Sequence, residues 1–224
     1  MRGAYFDHNA TTPLDPRVRE AMLPWLGERW GNASSAHGFG RQAREAVEGA
    51  RDRVAALLGA RPADLVFCGS GTEANNAVLA AVAGQAGAHG RIVLSAFEHP
   101  SIDGMATLLG ERGLAVTRVK PRPDGVVDAG QMAAALTEDT VLACLMLANN
   151  ELGTVQPVAA FAEACRRRGV PLLCDAVQAA GKTPVAVEEL GADYLVLGAH
   201  KFYGPLGAAA LWLRPGAEFT PYLV

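Results

Sequence analysis

The sequence predicts an α/β protein built on a mostly parallel, seven-stranded sheet with helices on both faces. Three observations support this: seven short runs of β-forming residues, helical patterns between them, and short connections. Several runs are continuously apolar rather than alternating, as expected of strands that helices cover on both sides. The runs cover residues 64–68, 91–95, 115–119, 141–147, 170–174, 194–197 and 208–213.

Helical patterns fill the gaps. An apolar face repeats over residues 43–57, and the helix that it indicates should stop at Gly59. We expect Thr72 to cap a helix through residues 74–83. We also expect Pro157 to begin a helix whose last turn holds three arginines before Gly169, where cations complement the helix dipole.

The last predicted strand should run antiparallel to the strand before it. The two are separated by a short turn region that contains Gly-Pro-Leu-Gly at residues 204–207. A connection between parallel strands needs a crossover of a dozen or more residues, and this turn region is too short to provide one.

Composition is typical of a soluble globular protein, with 50% hydrophobic and 19% charged residues among 224. The net charge of −3, from 20 basic and 23 acidic residues, argues against a nucleic-acid partner. The longest apolar run, residues 141–148, is far shorter than the roughly 20 residues of a membrane span, and the N-terminus has no apolar signal region. The four cysteines form no C-x-x-C pair and the five histidines lack metal-ligand spacing, so we expect reduced thiols, no metal and a cytoplasmic location.

Residues that carry chemistry follow five of the predicted strands. In open α/β sheets, ligands bind beyond the carboxyl ends of the strands, so these segments should converge. The sequence therefore predicts one ligand site at that edge, formed by residues 69–73 (GSGTE), 97–99 (FEH), 149–151 (NNE), 175–178 (DAVQ) and 198–201 (GAHK).

Each of these features also has an ordinary structural interpretation. The glycine-rich segment 69–72 either holds an anion at a helix N-terminus or is a simple strand–helix turn, and it lacks the Lys-Ser/Thr of a nucleoside triphosphate loop. Lys201 is either a partly desolvated amine that forms a Schiff base or a surface lysine. Asp175 either holds a protonated ring nitrogen or caps a helix, and His99 either stacks on a ring or lies in the core.

Taken together, the features match the needs of pyridoxal phosphate. That cofactor requires an anion site for its phosphate, a lysine for its aldehyde, a carboxylate for its ring nitrogen and a flat group against its ring.

The sequence also resembles the cysteine desulfurases of the class V aminotransferase group, the NifS/IscS kind of fold-type I pyridoxal phosphate enzymes. The resemblance runs in order from the first residues to about residue 213. It is carried by residues 5–13 (YFDHNATTP), 31–41 (GNASSAHGFGR), 70–76 (SGTEANN), 98–101 (EHPS), 149–157 (NNELGTVQP), 175–182 (DAVQAAGK) and 199–205 (AHKFYGP).

The resemblance implies roles for particular residues. Lys201 would form the Schiff base and move protons at the substrate α-carbon, and His99 would stack on the ring as a second catalytic group. Asp175 would pair with the ring nitrogen, and Gln178 would bond the phenolate oxygen. Phosphate or ring contacts are implied for Gly71, Thr72, Asn150 and His200, and a substrate-side lining for Asn9, Ala10 and Thr11.

Two features depart from the family pattern. Relatives usually carry a phosphate-binding serine three residues before the lysine, where this chain has Gly198. In the family, a small C-terminal domain also follows, with an arginine for the substrate carboxylate and the nucleophilic cysteine. We therefore expect an N-terminal arm over 1–30, a pyridoxal phosphate-binding domain over 31–214 and the start of the small domain over 215–224. None of Cys68, Cys144, Cys165 and Cys174 should be the nucleophile.

The implied reaction converts L-cysteine to L-alanine and leaves persulfide sulfur on the enzyme for iron–sulfur cluster or thio-cofactor assembly. A homodimer and a sulfur-acceptor or iron–sulfur scaffold partner are implied as well. Two alternatives stay open: another class V enzyme (selenocysteine lyase, sulfinate desulfinase or aminotransferase) and a catalytically inactive truncated domain. The residues that discriminate among class V enzymes would lie beyond Val224. Residues 1–224 alone are expected to be inactive, because the nucleophilic cysteine and the carboxylate-binding arginine would lie there too.

Overall fold

A computed structural model describes residues 3–86 and 89–221. The described chain forms a seven-stranded sheet in the order β1-β7-β6-β5-β4-β2-β3. The strands are β1 (Leu65–Cys68), β2 (Arg91–Ser95), β3 (Ala115–Val119), β4 (Thr140–Cys144), β5 (Leu172–Asp175), β6 (Tyr194–Gly198) and β7 (Ala209–Leu213).

The direction of the strands agrees with the sequence prediction. Strands β2 to β6 pair in parallel, whereas β7 is antiparallel to β6 on one side and to β1 on the other. The mostly parallel sheet and its antiparallel last strand are thus confirmed. The position of β7 inside the sheet, between β6 and β1, was not predicted.

Helices cover both faces of the sheet, each over its own buried apolar cluster. Side chains of β2 show the division: Ile92 and Leu94 belong to one cluster and Val93 to the other, as the alternation of a strand requires. The helices are α1 (Pro16–Met22), α2 (Gly38–Leu58), α3 (Gly71–Ala86), α4 (Pro100–Glu111), α5 (Ala129–Ala135), α6 (Val158–Arg168) and α7 (Val187–Leu190). Helices α3 and α4 cover the first face, and α2, α5, α6 and α7 cover the second.

Two predicted helix ends are confirmed. Helices α2 and α6 stop at Gly59 (φ 63°) and Gly169 (φ 66°), whose left-handed backbone suits glycine. The last turn of α6 carries the three arginines at positions 166–168. No helix within the described ranges is long and apolar enough to cross a membrane.

Two strand predictions need correction. The fourth strand ends at Cys144 rather than residue 147, because on the β2 side the Met146 N–H bonds to the Glu98 carboxyl instead of a strand. On the β5 side, Leu145 and Leu147 still donate to carbonyls of Leu173 and Asp175. The fifth begins at Leu172 rather than residue 170, since Pro171 has no N–H to donate.

The expected cap of α3 is also wrong. Ser70, not Thr72, caps this helix: its Oγ accepts the Glu73 N–H at 3.0 Å, while Glu73 Oε2 accepts the Gly69 N–H at 2.8 Å. The arrangement resembles a capping box, except that the acid bonds to the N–H one residue before the cap rather than to that of the cap itself. Thr72 is therefore free of a capping role.

The N-terminal segment is fixed to the turn that carries Lys201. The N–H and hydroxyl of Thr12 both donate to the His200 carbonyl at 2.9 Å, and the Thr12 hydroxyl accepts the Tyr203 N–H at 2.6 Å. Further along, the Asp15 N–H donates to the Tyr203 carbonyl at 3.0 Å. These bonds bring residues 9–12 over the carboxyl edge of the sheet.

Candidate active site

A cavity of about 300 Å³ lies beyond the carboxyl ends of the parallel strands. Its walls come from the segments after β1, β2, β4, β5 and β6, which are the five strands singled out in the sequence, and from Ala10 of the N-terminal segment. All eight predicted cofactor contacts line it: Gly71, Thr72, His99, Asn150, Asp175, Gln178, His200 and Lys201. A larger depression of about 690 Å³ at the opposite edge contains none of them.

The start of α3 forms one end of the cavity. The N–H groups of Gly71 and Thr72 lie in the first turn, where a helix offers no intrahelical acceptor, and the dipole of this 16-residue helix favours an anion there. A Cβ at Gly71 would lie 3.0 Å from a methyl carbon of Val177. The absence of a side chain lets the start of α3 pack closely against Val177 at the cavity wall.

Asp175 is a buried carboxylate at the end of β5, and its side chain lines the cavity. Its Oδ1 accepts the Val177 N–H at 2.9 Å and its Oδ2 accepts from Asn75 Nδ2 at 2.8 Å. Burial raises the pKa of Asp175, although these bonds and the nearby His99 and Lys201 act in the opposite direction. No lysine, arginine or histidine of the described chain forms an ion pair with it. Such a group suits a ligand with a cationic N–H.

His99 is held by the N-terminus of α4. Its Nδ1 accepts the Ser101 N–H at 3.1 Å and lies 2.8 Å from Ser101 Oγ. The ring therefore caps the helix and has a fixed orientation at the cavity wall.

The Lys201 amine is held by the N-terminal segment. Its Nζ donates to the carbonyls of Asn9 at 2.6 Å and Ala10 at 2.8 Å. Burial lowers the pKa of Lys201, and the positive charge of Lys182 lowers it further. A lowered pKa increases the fraction of unprotonated amine, the form that attacks a carbonyl.

Gln178 and His200 are positioned by neighbouring polar groups. Gln178 Nε2 donates to the Asn9 carbonyl at 2.8 Å, and its Oε1 accepts from Lys182 Nζ at 2.7 Å. His200 Nδ1 lies 3.1 Å from the Thr11 hydroxyl, so Nε2 is the nitrogen left for a ligand. Burial, and then the charge of Lys201, lowers the pKa of His200.

Several residues around the cavity were not selected from the sequence. Asn75 and Ser101 lie in quoted motifs without an assigned role, although Asn75 follows Thr72 by one helical turn. Lys182 closes the 175–182 motif. The backbone segment after β4 adds Met146 and Ala148 to the wall.

Glu98 is a buried acid behind the cavity. Its Oε1 accepts from the Ser95 hydroxyl and from the Met146 N–H, while its buried Oε2 has no partner in the described chain. Burial raises the pKa of Glu98 to about 8. The carboxyl is therefore largely protonated at neutral pH.

The four cysteines are free thiols. Cys144, Cys165 and Cys174 are buried and Cys68 is half-buried. Burial, with the Glu73 charge as a smaller cause, raises the pKa of Cys68 to about 11, and burial raises that of Cys165 to about 12. Because the thiolate is the nucleophile, these thiols are poorly suited to attack.

Gly198 faces Val177. A Cβ at position 198 would lie 3.2 Å and 3.5 Å from the two methyl carbons of Val177. A side chain at position 198 would therefore require Val177 to shift by a few tenths of an ångström.

The fold and the cavity together define a class of protein. It is an α/β protein whose carboxyl-edge site combines a helix N-terminus, a buried carboxylate, an imidazole and a lysine. The chain belongs to the class-V aminotransferase family, whose model matches residues 4–223.

Individual members of the family are also similar to the chain. The chain is 40% identical over 223 residues to "Cysteine desulfurase IscS" of Dictyoglomus turgidum, covering 99% of this chain and 57% of that protein. It is 45% identical over 214 residues to the protein of that name from Aeromonas hydrophila, covering 94% and 53%. A solved structure described as "SspA in complex with cysteine" superposes with a TM-score of 0.96 at 33% identity, covering 99% of this chain and 65% of that one. The chain thus spans about half the length of the curated relatives it matches.

We predict that Gly198→Ser destabilises the protein by about 1–3 kcal/mol because the new Cβ presses on Val177. In a Val177→Ala background the same change should cost much less, since both methyl groups are gone. Urea unfolding of the two single variants and the double variant measures this coupling. Gly198→Ala is the control for the hydroxyl. Strictly additive effects would contradict the packing relation.

We predict that Glu98→Gln flattens the dependence of stability on pH. The pKa of Glu98 is about 8 in the folded protein against an ordinary value of 4.5, so the folded state retains a proton that the unfolded state releases. The resulting stability is fully present below about pH 4.5 and is lost as the pH rises toward 8, with a slope of up to about 1.4 kcal/mol per pH unit.

Chemical denaturation of both proteins between pH 5 and pH 8 tests this prediction. The free energy of unfolding should fall more steeply with pH in the unmodified protein than in Glu98→Gln. Glu138→Gln, at an exposed position, is the matched control and should keep the unmodified slope. Equal slopes in all three proteins would show that Glu98 is already ionised.

Proposed function

We propose that the cavity binds pyridoxal phosphate and that the protein is a cysteine desulfurase, which forms L-alanine from L-cysteine and takes up the sulfur. The observation that carries the proposal is one cavity with three elements: the α3 N-terminus, the unpaired buried carboxylate of Asp175 and the Lys201 amine. The names of the relatives support the activity, and the cysteine complex of the SspA structure supports the substrate.

The described residues fit each polar part of this cofactor. The N–H groups of Gly71 and Thr72, with His200, would hold the phosphate, and Lys201 would hold the aldehyde carbon. Asp175 would hold the ring nitrogen, whose positive charge would supply the ion-pair partner that Asp175 lacks within the described chain. His99 would contact the ring, with Gln178 and Asn150 as the remaining polar partners. When bound, pyridoxal phosphate supplies an electron sink for bonds at the substrate α-carbon.

The chain's own groups prepare this chemistry. The Asp175 carboxylate, kept in place by Val177 and Asn75, would keep the ring nitrogen protonated by its negative charge. The Lys201 amine, with a pKa lowered by burial, would carry a proton to and from the substrate α-carbon. Hydrogen bonds to the carbonyls of Asn9 and Ala10 hold this amine at the cavity wall.

Sulfur uptake needs an accessible thiolate close to the substrate. The buried, protonated state of Cys144, Cys165 and Cys174 and the high pKa of Cys68 argue against all four. We therefore place the sulfur-accepting cysteine, and the arginine for the substrate carboxylate, in a small domain to which residues 215–224 lead. Residues 1–30 would be the arm and 31–214 the cofactor-binding domain.

The proposal extends to a cytoplasmic homodimer that delivers sulfur to an acceptor or iron–sulfur scaffold protein. Apolar side chains of the N-terminal region support a protein contact: Phe6, Leu26 and Trp30 are 91%, 77% and 67% exposed. Trp30 also stacks on Phe39, itself 53% exposed, with ring centroids 5.3 Å apart, and contiguous exposed apolar groups of this kind favour an interface.

Borohydride labelling tests the cofactor assignment. Reduction in the presence of pyridoxal phosphate should fix the cofactor on Lys201, since this amine alone of the three lysines lies in the cavity. Lys201→Ala should abolish the label, measured by mass spectrometry of peptides. Lys182→Ala and Lys120→Ala are the matched controls and should keep it. A label that survives in Lys201→Ala would show that another amine reacts.

Alanine formation from L-cysteine tests the activity. We expect turnover from a form that includes the coding sequence after residue 224, and none above free pyridoxal phosphate from residues 1–224. Positioning of the substrate would be poor without the carboxylate-binding arginine. Turnover by the short form that disappears in Cys68→Ala would make Cys68 the nucleophile. Faster turnover of selenocysteine or cysteine sulfinate by the long form would instead favour another class V activity.

A further inference from the structure

A line of hydrogen-bonded side chains joins Asp175 to His99. Asn75 Nδ2 donates to Asp175 Oδ2 at 2.8 Å and to Ser101 Oγ at 3.0 Å, and Ser101 Oγ lies 2.8 Å from His99 Nδ1. Asn75 and Ser101 are 1% and 8% exposed. The line therefore runs through the protein interior and links two groups of the cavity wall.

The charge of Asp175 fixes the direction of the protons along this line. An ionised carboxylate only accepts hydrogen bonds, so the Asn75 amide must turn its NH₂ toward Asp175. The second hydrogen of that NH₂ goes to Ser101 Oγ. Because Ser101 Oγ accepts there, its own hydrogen is left for His99 Nδ1.

The backbone acts on the same nitrogen. The Ser101 N–H also points at His99 Nδ1, at 3.1 Å. Two donors converge on Nδ1, so a proton on this atom would face them without an acceptor. The remaining ring proton belongs on Nε2.

A buried unpaired atom indicates that Asn75 has more than a packing role. Its Oδ1 is buried and has no partner in the described chain. Such an orphan acceptor destabilises the fold, a cost that an apolar side chain of similar size would avoid. The fold tolerates this cost where the two amide hydrogens reach Asp175 and Ser101, and such exceptions cluster at functional sites.

We propose that Asn75 and Ser101 are positioning residues that hold His99 as the Nε2–H tautomer. The functional role of this tautomer rests on the proposed function. His99 would then offer its Nε2–H as a hydrogen-bond donor to the cofactor and substrate. Asp175 thereby has two functions: it pairs with the ring nitrogen and, through Asn75 and Ser101, it orients the imidazole.

Nitrogen-15 NMR on histidine-labelled protein, without added cofactor and at pH 8, reads the tautomer directly. Two-bond proton–nitrogen correlations distinguish the Nδ1–H, Nε2–H and doubly protonated rings. His99→Gln identifies the signals of His99 among the five histidines. The unmodified protein should show a single Nε2–H pattern for this residue.

Variants of the line should change that pattern. Ser101→Ala removes the hydroxyl donor, and the His99 signals should move toward the averaged shifts of a tautomer mixture. Ser101→Thr keeps a hydroxyl and should restore the Nε2–H pattern, which a purely steric effect of the alanine would not predict. Asn75→Leu keeps the volume but lacks both donors and should behave like Ser101→Ala. Thermal unfolding of each variant confirms that it is folded.

The outcomes separate this inference from the proposed function. An Nδ1–H ring in the unmodified protein, or an Nε2–H pattern unchanged in both Ser101→Ala and Asn75→Leu, would overturn it. If Asn75→Leu does not fold, Ser101→Ala and Ser101→Thr still decide the matter. Because no cofactor is present, a failure of borohydride labelling at Lys201 would overturn the proposed function and leave the tautomer result standing.

Discussion

A buried negative charge at the end of β5 is the constraint on which the candidate site depends. Asp175 is only 5% exposed, and a carboxylate in that position needs donors around it. One donor is the Val177 N–H, which comes from the turn after the strand itself. The other is Asn75, which requires α3 to lie across the carboxyl edge with its first turns over β5. The placement of the helix N-terminus and the polarity of the neighbouring side chains both follow from this charge.

The opposite wall of the cavity depends on backbone carbonyls rather than on a charge. The Asn9 carbonyl accepts from both Lys201 and Gln178, and Lys182 holds the other end of the Gln178 amide. Two of the protein's three lysines thus lie at this wall, Lys182 bonded to the Gln178 amide and Lys201 to the Asn9 carbonyl. The N-terminal segment is part of the site because its main chain, more than its side chains, receives these donors.

The sequence could predict most of the fold because its signals are local. Continuous apolar runs mark strands covered on both faces, and Gly59 and Gly169 mark helix ends. The polar residues that follow the strands could then be assigned to one site, because ligands bind beyond the carboxyl ends of strands in open α/β sheets. The prediction was wrong where a distant partner decides the outcome: the Met146 N–H turns to Glu98, 48 residues away, and ends β4 early. Asn75 and Ser101 were missed for the same reason, since the partner of Asn75 is 100 positions along the chain.

The position of β7 has a consequence for the order of folding. This strand lies between β6 and β1, so Leu65 pairs with Trp212, and within the described chain β1 has no other neighbour in the sheet. A contact of such long sequence separation forms late, because the loop-closure entropy must be overcome before the pairing stabilises the chain. During synthesis, β1, which leads into the α3 N-terminus, can pair with β7 only after residues 209–213 have been made. Pairing of β1 with β7 thus adds a second support, beside the Asn75–Asp175 bond, for holding the α3 N-terminus next to the lysine end of the cavity.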